Sequence, residues 1–372
     1  MFVFLITLLL GGCGGTKLLS ADTDTPVTHH TDGGVGTGTD ADTGTSENSG
    51  ADSSSDTGTK PGPDTGPDTG PEAGTDSGTA QPIHVEAKEW TGDARIIAIG
   101  DNHADLSQAQ RALQIAQVIN ENLVWIGKDT IVVQTGDVID RGTEEREVID
   151  FYERLRPEAA AAGGQIINMN GNHEIMTAQG DYRYMQENAC AAFSSLPGLD
   201  TSNPAFENLT SDCKKRAAAF WPGGPYAKII ADWPMVVVLD KTVFVHGGLH
   251  QKHIDYGIDK INEMTRAWLL GEGELDTDMV GGGTAVYSVD WDRTYSSNTL
   301  LPEETICAAA KNVLDQLGAD RMVMGHTVQT RIIGFCDGRI VRIDVGMAEY
   351  YGGNIEVLEI IDGRVTVLVD TL

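Results

Sequence analysis

Five short loops carry side chains that can ligate metal ions or bind phosphate. They hold Asp101 and His103, then Asp137, Asp140 and Arg141, then Asn172 and His173, then His246, and last His326 within Gly325-His-Thr327. Each follows an apolar run rich in Val and Ile, so each sits at the end of a strand or hairpin. A lone histidine at a strand end is usually just a satisfied polar group. Five such loops at equivalent positions of a layered α/β chain are hard to obtain by chance. Oxygen and imidazole donors without thiolates suit Mn, Fe or Zn in a mixed site. The densest loop is Gly136-Asp-Val-Ile-Asp-Arg-Gly142. It crowds two carboxylates and a guanidinium into a strand-to-helix turn, the place where α/β proteins usually bind ligands.

The elements that must position these loops are legible as alternating runs. A strand is expected at 95–100, followed by a helix capped by Ser107 with Leu113, Ile115, Ala116 and Ile119 on its apolar face. A second strand, 130–135, leads into the acidic loop. Thr143 then starts a helix with Val148, Ile149, Phe151, Tyr152 and Leu155, which Pro157 is expected to stop. The third strand, 165–170, runs directly into Gly171-Asn-His-Glu174. Strand and loop thus recur three times with helices between, which argues for a parallel or mixed sheet with helices on its faces. Residues 177–225 are less periodic and read as an insertion shaping a lid or a wall. A hairpin, 235–239 and 242–245, ends at His246-Gly-Gly248; a helix is expected around 261–270, and a Gly-rich turn at 281–283. A further helix spans 301–317. Strands follow at 321–324, 331–335, 339–344, 354–360 and 364–369, with Asp337-Gly338 and Asp362-Gly363 as hairpin turns. His250 and His253 read as solvated loop residues.

The chain has 372 residues, with 26 Lys and Arg against 55 Asp and Glu, a formal charge of −29. That balance argues against nucleic-acid binding, which needs a positive face. About a dozen of the acids fall in 21–82, a tract of Asp, Thr, Gly, Ser and Pro with the near-repeat Pro63-Asp-Thr-Gly-Pro-Asp-Thr-Gly-Pro71. It has almost nothing apolar to bury and is expected to be a disordered, self-repelling tether. Residues 83–372 are enough for one large domain or two small ones.

Residues 1–20 read as an export signal. The apolar run at 2–10 is too short to span a bilayer and fits a signal-peptide core. Leu10-Gly-Gly-Cys13 resembles the bacterial lipobox, whose cysteine is lipidated and becomes the mature N-terminus. No Lys or Arg precedes the run, a departure from the pattern. The other reading is a plain secretory signal with an incidental Cys13. Either way the body is expected to be exported, and a lipid at Cys13 would tie it to the bacterial (outer) membrane, periplasmic or at the cell surface. Export bears on Cys190, Cys213, Cys307 and Cys336, an even number that predicts two disulfides. Pairing by proximity gives Cys190–Cys213 and Cys307–Cys336, with other connectivities and free thiols left open.

Gly100-Asp-Asn-His103, Gly136-Asp-Val-Ile-Asp-Arg-Gly142, Gly171-Asn-His-Glu174, His246-Gly-Gly248 and Gly325-His-Thr327 together resemble the ordered motif set of the calcineurin-like metallophosphoesterases. The Asp-Arg-Gly extension is similar to the phosphoprotein phosphatase branch. Trp291-Asp-Arg293 and Ile343-Asp-Val-Gly346-Met look like its bacterial Shewanella-like group. The resemblance covers about 95–360 and implies an α/β (α+β), four-layer fold, a central β-sandwich flanked by helices, with 83–372 as the catalytic domain. It implies a phosphomonoester hydrolase, a phosphoprotein phosphatase for phosphoserine, phosphothreonine or phosphotyrosine, with two divalent metal ions. Asp101 and His103 would hold one metal, Asn172, His246 and His326 the other, and Asp137 would bridge them. Two cations about 4 Å apart acidify a shared water to hydroxide and clamp the phosphoryl oxygens for in-line attack. Arg141 and Arg293, with Asn172, would bind the phosphate, as planar guanidinium donors do. His173 would be the general acid, oriented by Asp140. Ala104 stands where the family usually has Gly; its methyl tightens the first loop and removes no ligand.

Three other readings compete. Cys336 and Arg342 have the Cys-x5-Arg spacing of cysteine phosphatases, but a hairpin turn and a strand follow where that chemistry needs a loop leading into a helix. A nucleotide or phosphodiester hydrolase of the same fold is the nearer alternative, although two arginines best match a dianionic monoester. The third is a non-catalytic surface lipoprotein that keeps the fold for binding, against which every expected ligand is present.

Overall fold

The computed structural model describes residues 5–7, 95–282, 287–297 and 301–370. Cys13, the 21–82 tract and residues 283–286 of the Gly-rich region lie outside the described residues. In chain order the first half supplies β1 (Leu5–Thr7), β2 (Ile96–Ile99), α1 (Leu106–Ile115), β3 (Ile131–Gln134), α2 (Glu145–Ala161), β4 (Gln165–Asn168) and α3 (Asn172–Ala178). The insertion follows, with a 3-10 turn at Glu187–Phe193, α4 (Ser211–Phe220) and α5 (Pro225–Ile230). The second half supplies β5 (Val236–Leu239), β6 (Thr242–Val245), α6 (Gln251–Tyr256), α7 (Ile258–Leu269), α8 (Glu303–Leu317) and β7 (Arg321–Met324). The chain closes with β8 (Ile333–Phe335), β9 (Ile340–Arg342), β10 (Glu356–Ile361) and β11 (Arg364–Val369).

The strands form two mixed sheets, in the orders β1-β11-β10-β2-β3-β4 and β5-β6-β7-β9-β8. Parallel pairing joins β2, β3 and β4 in the first sheet and β6, β7 and β9 in the second. Side chains alternate across a strand, and β2, β3 and β6 are buried on both faces, so these three are largely apolar. Ile96, Ala98, Ile131, Val133 and Ile167 point inward to Phe244, Val323 and Val341 of the other sheet. Ile97, Ile99, Val132 and Ile166 point outward to Leu113 of α1 and Val148, Tyr152 and Leu155 of α2. On the far side, Val243, Met322 and Met324 meet Ile261 of α7 and Val313 of α8. The result is helix, sheet, sheet, helix: the four-layer arrangement expected. At the outer edge Leu5–Thr7 pairs antiparallel with β11, and the other five strands form a continuous ladder without it.

Three local expectations are corrected. Asp105, not Ser107, caps α1, its carboxylate accepting the Gln108 N–H at 3.1 Å. α2 begins at Glu145 rather than Thr143 and runs through Pro157 to Ala161. The proline forfeits one backbone bond near the helix end, and Glu158-Ala-Ala-Ala161, all good helix formers, complete the final turn. His250 and His253 are not solvated loop residues, since both belong to the start of α6. His253 is buried and its Nδ1 accepts the His250 N–H at 2.9 Å, while His250 Nε2 lies 3.0 Å from Asp292.

Cys190 is bonded to Cys213 and Cys307 to Cys336, with Cα–Cα distances of 4.8 and 5.2 Å. The first pins the 3-10 turn of the insertion to α4; the second pins α8 to the β8–β9 turn. Closing loops with separations of 23 and 29 residues restricts the unfolded chain, worth about 3.5 kcal/mol each on the entropic account. A Cys307→Ser/Cys336→Ser double variant is therefore expected to lose about that much unfolding free energy. An unshifted denaturant midpoint would mean the bridge contributes nothing.

Candidate active site

The loops leaving β2, β3 and β4 meet those leaving β6, β7 and β9. His246, after β6, donates from Nδ1 to the Thr135 carbonyl at 2.8 Å, and the His326 N–H, after β7, donates to Asp101 at 3.0 Å. All ten expected site residues from 101 to 326 fall around this junction or on its rim.

Asp137 is at the centre. Its carboxylate and one nitrogen each of His103 and His173 lie within 4.8 Å of one another, and the same holds for Asp137, His246 and His326. Glycines make room for it. A Cβ on Gly171 would stand 2.2 Å from Asp137 Oδ1, and one on Gly325 would stand 2.2 Å from Asp101 Oδ1. The loop itself is held in a costly shape: Asp137, Asp140 and Arg141 have φ of 55°, 62° and 68°, in the left-handed region. Glu174 is what holds it. Its carboxylate accepts N–H bonds from Asp137 (3.0 Å), Val138 (2.8 Å), Ile139 (3.2 Å) and Gly171 (2.8 Å). Burial and Asp137 push the Glu174 carboxyl up to about 7, while the Gly171 N–H and the nearby His246 and His173 pull the other way. Ala104 also has positive φ, 55°, which is why glycine suits that position.

The donor set fits divalent metal ions. Three histidines each commit one ring nitrogen to a backbone carbonyl: His103 Nδ1 to Ile139 (3.2 Å), His246 Nδ1 to Thr135 (2.8 Å) and His326 Nε2 to Trp291 (3.2 Å). Such anchors fix the tautomer and leave the other nitrogen for a metal. His246 Nε2 points between Asp137 Oδ2 (3.2 Å) and Asn172 Oδ1 (3.0 Å). Burial favours a neutral ring, but Asp137 and Asp101 outweigh it and hold His246 up to about 10. The carboxylates thus demand a positive charge at the position a cation would fill. Burial drops His103 to about 4 and His326 well below its usual value, which leaves both as neutral donors. Burial and Asp344 push Asp101 well above the carboxylate range, and burial takes Asp344 to about 6. A cation between them would relieve that repulsion. Asp101 itself belongs to neither ligand cluster; its oxygens receive the His326 N–H instead.

His173 is set apart by its partner. Its Nδ1 bonds Asp140 Oδ2 at 2.8 Å, a carboxylate rather than a carbonyl, and its Nε2 lies 3.8 Å from Asp137. Burial opposes its charging, yet Asp137 and the Asp140 bond prevail and raise its pKa. Arg141 and Arg293 both line the cleft. Arg141 stacks on the Tyr184 ring at 3.8 Å, and its Nη1 reaches Tyr350 Oη at 3.3 Å. Arg293 Nη1 donates to the His326 carbonyl (3.0 Å) and Thr327 Oγ1 (2.7 Å), so it is no simple surface ion pair.

The calcineurin-like phosphoesterase family matches residues 94–330. The chain belongs to this family. Among its relatives, Shewanella-like protein phosphatase 2 of Arabidopsis thaliana is 39% identical over 297 residues, 72% of this chain and 75% of that one. Shewanella-like protein phosphatase 1 of Plasmodium berghei is 30% identical over 264 residues, 70% and 68% of the two chains. The crystal structure of a cold-active protein-tyrosine phosphatase from a psychrophilic Shewanella species shares the fold, with a TM-score of 0.57 at 21% identity over 74% of this chain and 78% of that one. This calcineurin-like phosphoesterase is thus a hydrolase of the phosphatase type, from a family that uses divalent metals.

Sequence reasoning missed several residues of the phosphoesterase site. Glu174 lay inside a motif with no role given to it. Asp344 likewise lay inside Ile343-Asp-Val-Gly346-Met with no role given to it, and the Arg141-facing tyrosines, Tyr184, Tyr350 and Tyr351, carried no spacing signal. Arg216, buried against Asp140 and Glu145, is equally silent in the sequence.

Proposed function

We propose that this protein is a dinuclear metal-dependent phosphomonoesterase whose natural substrate is a phosphoprotein. The observation that carries the reading is a single buried carboxylate, Asp137, shared by two histidine clusters. Asp101 and His103 would hold one metal and Asn172, His246 and His326 the other. Two such ions supply a nucleophile at neutral pH and neutralise the phosphoryl oxygens. The protein's own groups do the rest. Arg141 and Arg293 receive the remaining phosphate oxygens, the rigid forks suiting a dianion. His173 keeps its Nδ1–H on Asp140 and presents Nε2 to the departing oxygen, protonating it as the P–O bond breaks. We further propose export and anchoring through a lipid on Cys13, on the strength of Leu10-Gly-Gly-Cys13 alone.

Metal analysis of the purified protein, with turnover of aryl phosphate and phosphopeptide measured with and without chelator, tests the reading. About two divalent ions per chain and chelator-sensitive hydrolysis are expected. Faster turnover of a phosphodiester or a dinucleoside polyphosphate than of phosphopeptide would replace it with the nucleotide or diester alternative. No hydrolysis by metal-loaded protein would leave a binding protein.

A further inference from the structure

Behind His173 lies a charge cluster that phosphate binding does not use. Asp140, Glu145 and Arg216 are all 0% exposed. Arg216 comes from α4 in the insertion, far along the chain from the catalytic loops. Its Nε and Nη2 fork onto the two Glu145 carboxylate oxygens at 2.5 and 2.7 Å. The same Nη2 reaches Asp140 Oδ1 at 2.9 Å. Asp140 Oδ2, the other oxygen of that carboxylate, accepts His173 Nδ1–H at 2.8 Å. Glu145 completes the cluster by accepting the Asp140 backbone N–H at 3.1 Å. Arg216, Asp140 and His173 therefore form one continuous line from the insertion to the cleft.

Buried ion clusters are poor stabilisers, because packed apolar side chains in their place are often neutral or better. Stability alone is thus a weak reason for this one. Its geometry gives a better reason: the guanidinium fixes the oxygen of Asp140 that His173 does not use, and so fixes the one it does.

We propose that Arg216 is a positioning residue for proton delivery, locking the Asp140 carboxylate so that the His173 Nε2 proton stays aimed at the leaving oxygen. The proposal rests on the phosphomonoesterase reading. In the step it serves, water adds its oxygen to phosphorus, gives up one proton to solvent, and the ester P–O bond breaks with its electron pair on the leaving oxygen. That oxygen takes the His173 Nε2 proton, and solvent returns a proton to the ring. Arg216 touches neither substrate nor reacting atoms.

The test compares Arg216→Lys with the wild type on two esters, phenyl phosphate and p-nitrophenyl phosphate. Phenolate is a poor leaving group that needs the proton; nitrophenolate leaves with little help. The lysine keeps a charge but loses the fork. With phenyl phosphate, kcat is expected to fall by about 10²-fold at nearly constant KM, and with p-nitrophenyl phosphate by less than about tenfold. Metal content should be unchanged. Equal losses on both esters, or no loss on either, would overturn the proposal. If Arg216→Lys does not fold, Arg216→Gln/Glu145→Gln replaces the charges with amides and is scored by the same ratio. Should the metal-loaded wild type hydrolyse neither ester, the phosphomonoesterase reading itself fails, and the proposal with it.

Discussion

An Asp137→Asn variant is expected to lose bound metal and roughly 10³-fold in kcat/KM while remaining folded. The size follows from what the carboxylate does. It is the one anion common to both histidine clusters, so its loss weakens both metal positions together. Metal ions contribute several kcal/mol of transition-state charge stabilisation, and about 4 kcal/mol corresponds to 10³ in rate. The expectation of a folded protein has its own ground. Asparagine is nearly isosteric, fits the cradle beside Gly171, and its Oδ1 can still accept the His173 N–H that Asp137 Oδ1 accepts at 3.0 Å. Glu174, not Asp137, holds the left-handed loop through its N–H bonds. Metal analysis and thermal unfolding of the same preparation check both halves. Full metal occupancy with an unchanged rate would remove Asp137 from the site.

Much of this arrangement was legible because its parts are local. A strand buried on both faces must be an apolar run, and a ligand loop must follow it at once, so Ile131–Gln134 and Asp137 are read as one unit. The same holds for Gln165–Asn168 with Asn172 and for Thr242–Val245 with His246. The hairpin turn at Asp362-Gly363 was readable for a similar reason. Both residues have positive φ, 51° and 71°, the shape for which an Asp-Gly pair is suited. Errors came where two local signals compete. Ser107 and Asp105 both can cap a helix, and only the position of Gln108 N–H over Asp105 decides between them. Pro157 normally stops a helix, but an alanine-rich end outweighs one lost bond.

What stayed illegible depends on contacts across long stretches of chain. Arg216 is 71 residues from Glu145 and 76 from Asp140, and its own neighbours in α4 are alanines and lysines of no special pattern. Tyr350 meets Arg141 from 209 residues away. Glu174 is a different case. Its position in Gly171-Asn-His-Glu174 was plain, yet nothing in the spacing says that its carboxylate turns back to collect N–H groups from the preceding loop. His250 and His253 looked solvated because polar residues flank them, whereas His250 in fact stacks with Tyr295 at 5.1 Å and His253 is fully buried.

The second large effect falls on His173, where two roles compete. Its ring comes within ligand range of Asp137 and His103, yet its other nitrogen is committed to Asp140. The carboxylate partner argues for a proton carrier, since an anion beside Nδ1–H favours the charged ring that can give up a proton at Nε2. The other histidines differ in this respect, each being tied to an uncharged carbonyl. Its pKa is raised where those of His103 and His326 are lowered by burial, but His246 is raised too, so the Asp140 bond is what sets His173 apart. A general acid contributes about 10² to 10⁴ in rate, so His173→Asn is expected to lower kcat by that range with both metals retained. A ligand would behave otherwise: its removal would empty a metal position, and added metal would restore part of the rate. Metal content of His173→Asn, measured beside kcat with and without excess metal, separates the two. Retained metal with a crippled kcat makes His173 the acid; lost metal with rescue makes it a ligand.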